Sequence, residues 1–256
     1  MFSRFKLTLG NDFGSYYDVG LKLYNQTSTM IKQSLETFLI KEDRLDGSRL
    51  QQHWFPQVDA DIFLSHSHAD KDLAISLAGW LKQKFDLRLF VDSCVWGYAD
   101  DLLKQIDDKY CVIPGSETYC YQKRNGSTSH VHMMLIAALT KLIDQTECVC
   151  FLNTPNSITS ENAVSKTKSP WIYSEIAISE SVRRKPTIYH RVSPTKLASL
   201  MESKSFRASL EVEYDIDLSR LLEIDNATLV HWQKLALSTK LDHPLDGLYK
   251  VLGISK

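Results

Sequence analysis

Three short stretches of this sequence hold side chains able to do chemistry together. Ser65-His66-Ser67-His68-Ala69-Asp70 is dense in hydrogen-bonding groups and opens onto a helix whose N-terminus favours anions such as a pyrophosphate. Residues 92–97 carry Asp92 and Trp96 and end at Gly97. The third stretch delivers Trp171 and, one helical turn later, Glu175. Trp171, Glu175, Ile178 and Val182 share a helical stripe, with Ile172 and Ile176 beside it. Glu175 is therefore expected among apolar neighbours and partly out of water, a setting in which a carboxylate is either potent or costly. Plainer readings stand beside these. Asp70 serves chiefly as a helix cap, His66 is a loop histidine or a binding group, and Trp171 is a stacking platform or core.

Other polar clusters are read as structural. His66-x-His68 with Asp70 falls short of the three or four ligands at recognisable spacing that zinc sites use, so no metal is expected. Cys111, Cys120, His130 and His132 form a similarly loose set. Arg183-Arg184-Lys185 complements the dipole in the last turn of a helix.

Strands and helices must carry the three stretches to one place. From residue 60 onward, short apolar runs alternate with helical periods, the pattern of an α/β domain with a mostly parallel sheet. Strands are predicted at 62–64, 87–91, 148–152, 187–189 and 210–214. Helices are predicted from Asp70 through the stripe Ala74, Leu77, Ala78, Leu81 and Phe85, and at 100–110 and 130–145. A further helix starts at the N-cap Ser169 with Pro170 and runs to about residue 184, and others lie at 195–203, 227–238 and 244–252. Residues 111–129 read as an irregular insert around Pro114-Gly115 and Asn125-Gly126, and 153–168 as a polar loop.

Residues 1–57 read as a helical extension. Its stripe is Tyr24, Ile31, Leu35, Phe38 and Leu39, it closes at Asp46-Gly47-Ser48, and Trp54-Phe55-Pro56 packs it on the next domain. That domain spans 58–195, and 196–256 completes the α/β unit with closing helices. In open α/β sheets, ligands bind beyond the carboxyl ends of the strands, where strand order reverses. That rule selects the three stretches.

Composition narrows the function. A chain of 256 residues, 43% hydrophobic, builds a large core without staples. Thirty Lys+Arg against 31 Asp+Glu leave a net charge of -1, which disfavours nucleic acid as a partner. The longest nearly apolar run, 131–139, is far short of the roughly 18 residues of a membrane span. Asn11 and Asp12 interrupt any leader after Arg4 and Lys6, and five scattered cysteines (Cys94, Cys111, Cys120, Cys148, Cys150) read as reduced thiols, so a cytoplasmic location is expected. Cys148 and Cys150 should pack on one face of a strand. No Gly precedes a Lys and no Gly-x-Gly occurs, so phosphate-loop and dinucleotide fingerprints are missing, as are H-E-x-x-H and G-x-S-x-G.

Asp61-Ile62-Phe63-Leu64-Ser65-His66-Ser67 followed by Asp70, then Phe90-Val91-Asp92 with Gly97, then Ser169-x-Trp171-x-x-x-Glu175 come in an order that resembles TIR (Toll/interleukin-1 receptor homology) domains, particularly bacterial ones. The resemblance covers about half of the chain, from Asp59 to Val192. It implies a flavodoxin-like parallel sheet flanked by helices and an enzyme that cleaves the nicotinamide–ribose bond of NAD, with NAD as substrate and no cofactor. Glu175 matches the essential glutamate, and Ser65, His66, Asp70, Asp92, Trp96 and Trp171 fall where the nucleotide would bind. Nicotinamide leaves a pyridinium as a neutral molecule, so one carboxylate that binds the ribose hydroxyls and steadies the developing cation suffices, unlike the paired acids of glycoside hydrolases.

The resemblance further implies self-association, with residues 92–97 completing a neighbour's site, and a nucleotide product read by a downstream effector in antiphage defence. The enlarged stretches 111–129 and 153–168, and His66 where some members carry Arg or Tyr, depart from the family pattern. They leave ADP-ribose, a cyclic isomer or a conjugate open as product. Two other readings stand: a non-catalytic scaffold of the same fold, and another nucleoside N-glycosidic hydrolase or transferase.

Overall fold

Short β-branched and aromatic runs build the sheet. The computed structural model describes residues 1–10, 13–28, 38–41, 44–55, 57–161, 164–191 and 214–255. Five strands pair in parallel: β1 (Ser3–Leu7), β2 (Ile62–Ser65), β3 (Leu89–Val91), β4 (Cys148–Leu152) and β5 (Leu222–Ile224), in the order β5-β1-β4-β2-β3. Helices cover both faces in a flavodoxin-like α/β architecture. Alternation along each strand assigns side chains to faces. Ile62, Leu64, Cys148, Cys150 and Leu152 pack with α1 (Tyr17–Ser28), α3 (Lys71–Phe85), α8 (Asn226–Ser238) and α9 (Pro244–Val251). Phe63, Phe90, Val149 and Phe151 point the other way, to α2 (Gly47–Trp54), α4 (Ser93–Tyr110), α5 (Tyr121–Gln145) and α6 (Pro170–Ser181). Helices α1 and α3 meet backbone to backbone: a Cβ on Gly79 would lie 2.1 Å from the Tyr16 carbonyl oxygen, and one on Gly20 1.9 Å from that of Ile75.

The sheet differs from expectation at its fourth position. Residues 187–189 do not form a strand; Thr187 precedes the short helix α7 (Ile188–Arg191), and Ile188 and Tyr189 are exposed. A three-residue apolar run does not by itself distinguish strand from helix. The place beside β4 is taken instead by β1, from the stretch expected to be wholly helical, with Phe5 and Leu7 turned into the core. Asp46-Gly47-Ser48 does not close a helix but opens α2, the Asp46 carboxylate accepting from the Ser48 and Arg49 amides.

Two loops are more ordered than their composition suggested. Helix α5 absorbs residues 121–129 of the expected insert, and the rest is a turn bridged between Val112 and Tyr119. Residues 153–168 contain the antiparallel strands Thr159–Glu161 and Val164–Thr167, and Tyr214–Ile216 joins the latter rather than the parallel sheet. Leu39–Lys41 and Arg44–Leu45 form a separate small ladder. Ile31 and Leu35 of the expected N-terminal stripe, Pro56, the predicted helix at 195–203 and residues 210–213 lie outside the described residues. Among the described residues no helix is long and apolar enough to cross a membrane.

Strand β2 lies between β3 and β4, so the chain leaves β2 on one side and returns on the other. This reversal opens the crevice at the carboxyl ends of β2 and β4.

Candidate functional site

Register sets the site. Leu64 pairs with Val91, and the Asp92 amide donates to the Leu64 carbonyl at 3.3 Å, so the chain leaves β2 and β3 side by side. His66 and Asp92 are brought together there, 4% and 1% exposed. The His66 backbone N–H lies 3.5 Å from Asp92 Oδ2, and its ring Nδ1 contacts the other carboxylate oxygen in a buried ion-pair geometry. That contact lacks hydrogen-bond geometry, so both His66 ring nitrogens and Asp92 Oδ1 are buried without a hydrogen-bond partner. Asp92 is not in a loop as expected: α4 begins at the next residue.

Helix α6 supplies the third group. The Ser169 hydroxyl accepts from the Ile172 amide at 3.3 Å and Pro170 occupies the first turn, so the helix starts where the sequence indicated. With its entry fixed, α6 turns Ile172, Glu175, Ile176 and Ser179 inward, and Glu175 is 0% exposed. Neither carboxyl oxygen has a hydrogen-bond partner of good geometry. Burial raises the Glu175 carboxyl well above the usual carboxylate range; the neighbouring Asp92 carboxylate pushes it the same way, and the Ser65 hydroxyl opposes them. Burial and the Asp92 charge thus both favour the protonated form of Glu175.

A cavity of about 800 Å³ adjoins this cluster, within the size range of small-molecule sites. His66, His68, Asp92, Asp100, Trp171 and one face of α5 line it. Tyr121, Arg124, Asn125, Thr128 and His132 form that face, at spacings of three and four. Arg124 Nε donates to the buried Asp107 at 2.9 Å, while its side chain stays 55% exposed, leaving guanidinium N–H groups for an anion. The His132 ring meets Trp171 edge-on, centroids 5.4 Å apart. Burial lowers His132 and raises Asp100, each partly countered by the other.

Of the seven residues singled out in the sequence, His66, Asp92 and Trp171 line the cavity. Ser65 and Glu175 are buried without lining it, Glu175 beside Asp92. Asp70 stands apart and is not a side-chain cap. Its carboxylate accepts from Thr154 Oγ1 at 2.5 Å and Asn156 Nδ2 at 2.7 Å, tying the loop after β4 to the loop after β2 across the reversal point. The Trp96 side chain lies outside the described residues. Among the described residues no group of three or more His, Cys, Asp or Glu is placed to hold a metal ion.

The α5 face went unread because Asn125-Gly126 reads as a turn, which starts the helix at residue 130 and leaves His132 alone. Continued two turns further toward the N-terminus, the period would have aligned Arg124, Thr128 and His132. The chain matches no family model, no curated protein and no solved structure.

Proposed function

We propose that this protein is an NAD glycohydrolase or cyclase of TIR type, which breaks the nicotinamide–ribose bond and releases nicotinamide with ADP-ribose or a cyclic isomer. The observation that carries the reading is the fully buried Glu175 carboxyl set beside Asp92, next to a cavity of about 800 Å³. Two adjacent buried carboxyls favour a cation, because its arrival relieves the repulsion between them. The nicotinamide ring of NAD is such a cation. Once ionised, Glu175 opposes the positive charge that passes to the ribosyl centre as the base leaves, in a site with little water to screen it. Arg124 suits the pyrophosphate and the Trp171 ring a planar base.

By the same resemblance, protomers associate through residues 92–97 in the cytoplasm, and the product is a signal read by a downstream effector in antiphage defence. NAD incubated with concentrated protein, its products separated chromatographically, tests the reading. Glu175→Gln should lose about 10²–10³-fold in turnover. Equal turnover by both proteins removes the catalytic assignment, and no turnover by wild type favours a non-catalytic scaffold.

One observation favours a second reading. A glutamic acid that holds its proton can also donate it to a departing neutral base, which suits a nucleoside hydrolase or transferase. A deoxynucleoside offered beside NAD separates the two, since only one should be consumed.

A further inference from the structure

We infer that His66, oriented by Asp92, is the general base that takes the proton from the acceptor attacking the ribosyl carbon. The inference rests on the N-glycosidic reading above and assigns a separate half of that reaction. Glu175 serves departure of the base; nothing in that role deprotonates the incoming water or hydroxyl.

The geometry supplies the missing group. His66 Nδ1 sits in ion-pair contact with the buried Asp92 carboxylate, and a carboxylate at that nitrogen favours the tautomer with the proton on Nδ1. That leaves the Nε2 lone pair as the acceptor. Nε2 is buried, without a hydrogen-bond partner, in a residue that lines the cavity. A structural histidine this deeply buried normally has both nitrogens satisfied, because an unpaired buried polar atom costs about 1–3 kcal/mol. Here neither ring nitrogen makes a hydrogen bond of good geometry: Nδ1 lies in ion-pair contact with Asp92, and Nε2 is left for the ligand. A carboxylate holding one imidazole nitrogen while the other faces the reacting atom is the arrangement by which histidine bases work on unrelated folds.

The step balances. The C1′–N bond breaks and its electron pair leaves with nicotinamide. An oxygen of water, or of a hydroxyl on the substrate itself, forms the new bond to C1′, and its proton passes to His66 Nε2. The imidazolium is stabilised by Asp92 and returns the proton to solvent. Asp92 at the end of β3 contacts His66, Glu175 of α6 lies beside Asp92, and the other titratable groups lining the cavity are His68, Asp100 of α4, and Tyr121, Arg124 and His132 of α5.

A base is dispensable when the acceptor carries no proton, and this gives the test. His66→Gln should consume NAD about 10²–10⁴-fold more slowly than wild type. Sodium azide should restore turnover and give the azido-ribosyl product, whereas Glu175→Gln, impaired in departure, should not respond. Wild-type speed in His66→Gln, or a slow variant that azide leaves slow, overturns the inference. If that variant fails to fold, nitrogen NMR of histidine-labelled wild type decides: His66 should carry its proton on Nδ1, and its Nε2 signal should move on saturation with ADP-ribose. A proton on Nε2, or an unmoved signal with ligand bound, overturns it. Absence of NAD turnover by wild type is a different result and removes the parent reading instead.

Discussion

Two pairs of buried carboxyls lie at opposite ends of the sheet, and the chain treats them in opposite ways. At the amino end, Glu147 and Asp246 are 2% and 4% exposed and are fully answered. Arg191 donates from Nε to Glu147 Oε2 at 2.9 Å, and from Nη2 to Glu147 Oε1 and Asp246 Oδ1, both at 2.7 Å. Tyr249 donates its hydroxyl proton to Glu147 at 2.8 Å, so at the 2.8 Å contact with Cys148 the thiol is the donor. Burial alone would lower the Arg191 guanidinium, but its bonds to Glu147 and Asp246 more than reverse this. At the carboxyl end, Asp92 and Glu175 face each other, and among the described residues no cationic side chain is bonded to them beyond the His66 imidazole, whose residue also offers Asp92 its backbone N–H. Neither Glu175 oxygen has a hydrogen-bond partner of good geometry. The amino end spends its charges on holding three segments together: α7, the start of β4, and α9. An unanswered pair of equal burial contributes nothing of that kind. Its persistence is what a binding or catalytic role predicts.

Breaking the satisfied end should have the largest effect. Arg191→Ala leaves Glu147 and Asp246 buried without a cation and should lower unfolding stability by about 3–5 kcal/mol, read from urea titration. Turnover per folded molecule should be unchanged, because Arg191 lies at the other end of the sheet from the cavity. A loss below about 1 kcal/mol, the size of an exposed pair, would mean that the two ends are not so different. Tyr249→Phe removes one hydrogen bond to a charged group and leaves the Cys148 thiol without its acceptor. A loss of about 1.5–3 kcal/mol is expected by the same titration.

How much of this was visible in the residue string differs by region. Strands β2, β3 and β4 were evident as apolar runs bounded by polar turns, and the capped start of α6, which aims Glu175 inward, was evident from Ser169-Pro170. Strand β1 was also written in the sequence, as the alternation Phe5-Lys6-Leu7-Thr8-Leu9, but Arg4 and Lys6 drew attention as charge rather than as the outward half of a strand. Its position next to β4 follows from no local rule, since pairing across some 145 residues is decided by the whole sheet. Each functional residue could be nominated from its own motif. That Asp92 faces both His66 and Glu175 could not, because it depends on the register of β2 with β3 and on the angle at which α6 crosses behind them.

The unsatisfied end should respond to pH in a way the satisfied end does not explain. Burial first, then Asp92, holds the Glu175 carboxyl well above its ordinary value of 4.5, so the folded protein binds this proton more tightly than the unfolded chain does. The resulting stability is complete below pH 4.5 and is lost as pH rises toward the raised folded value. Glutamine keeps the shape and the neutral state but has no proton to lose. Glu175→Gln should therefore be as stable as wild type at low pH and progressively more stable as pH climbs through neutrality, while it loses turnover. Histidines 53, 132, 190 and 243, all pushed down by burial, act with the opposite sign, so the quantity to follow is the variant's melting temperature minus that of wild type at each pH. A difference that rises with pH marks a carboxyl kept at a cost to the fold. A flat or falling difference would mean that Glu175 is ionised and compensated like Glu147, and the contrast between the two ends of the sheet would disappear.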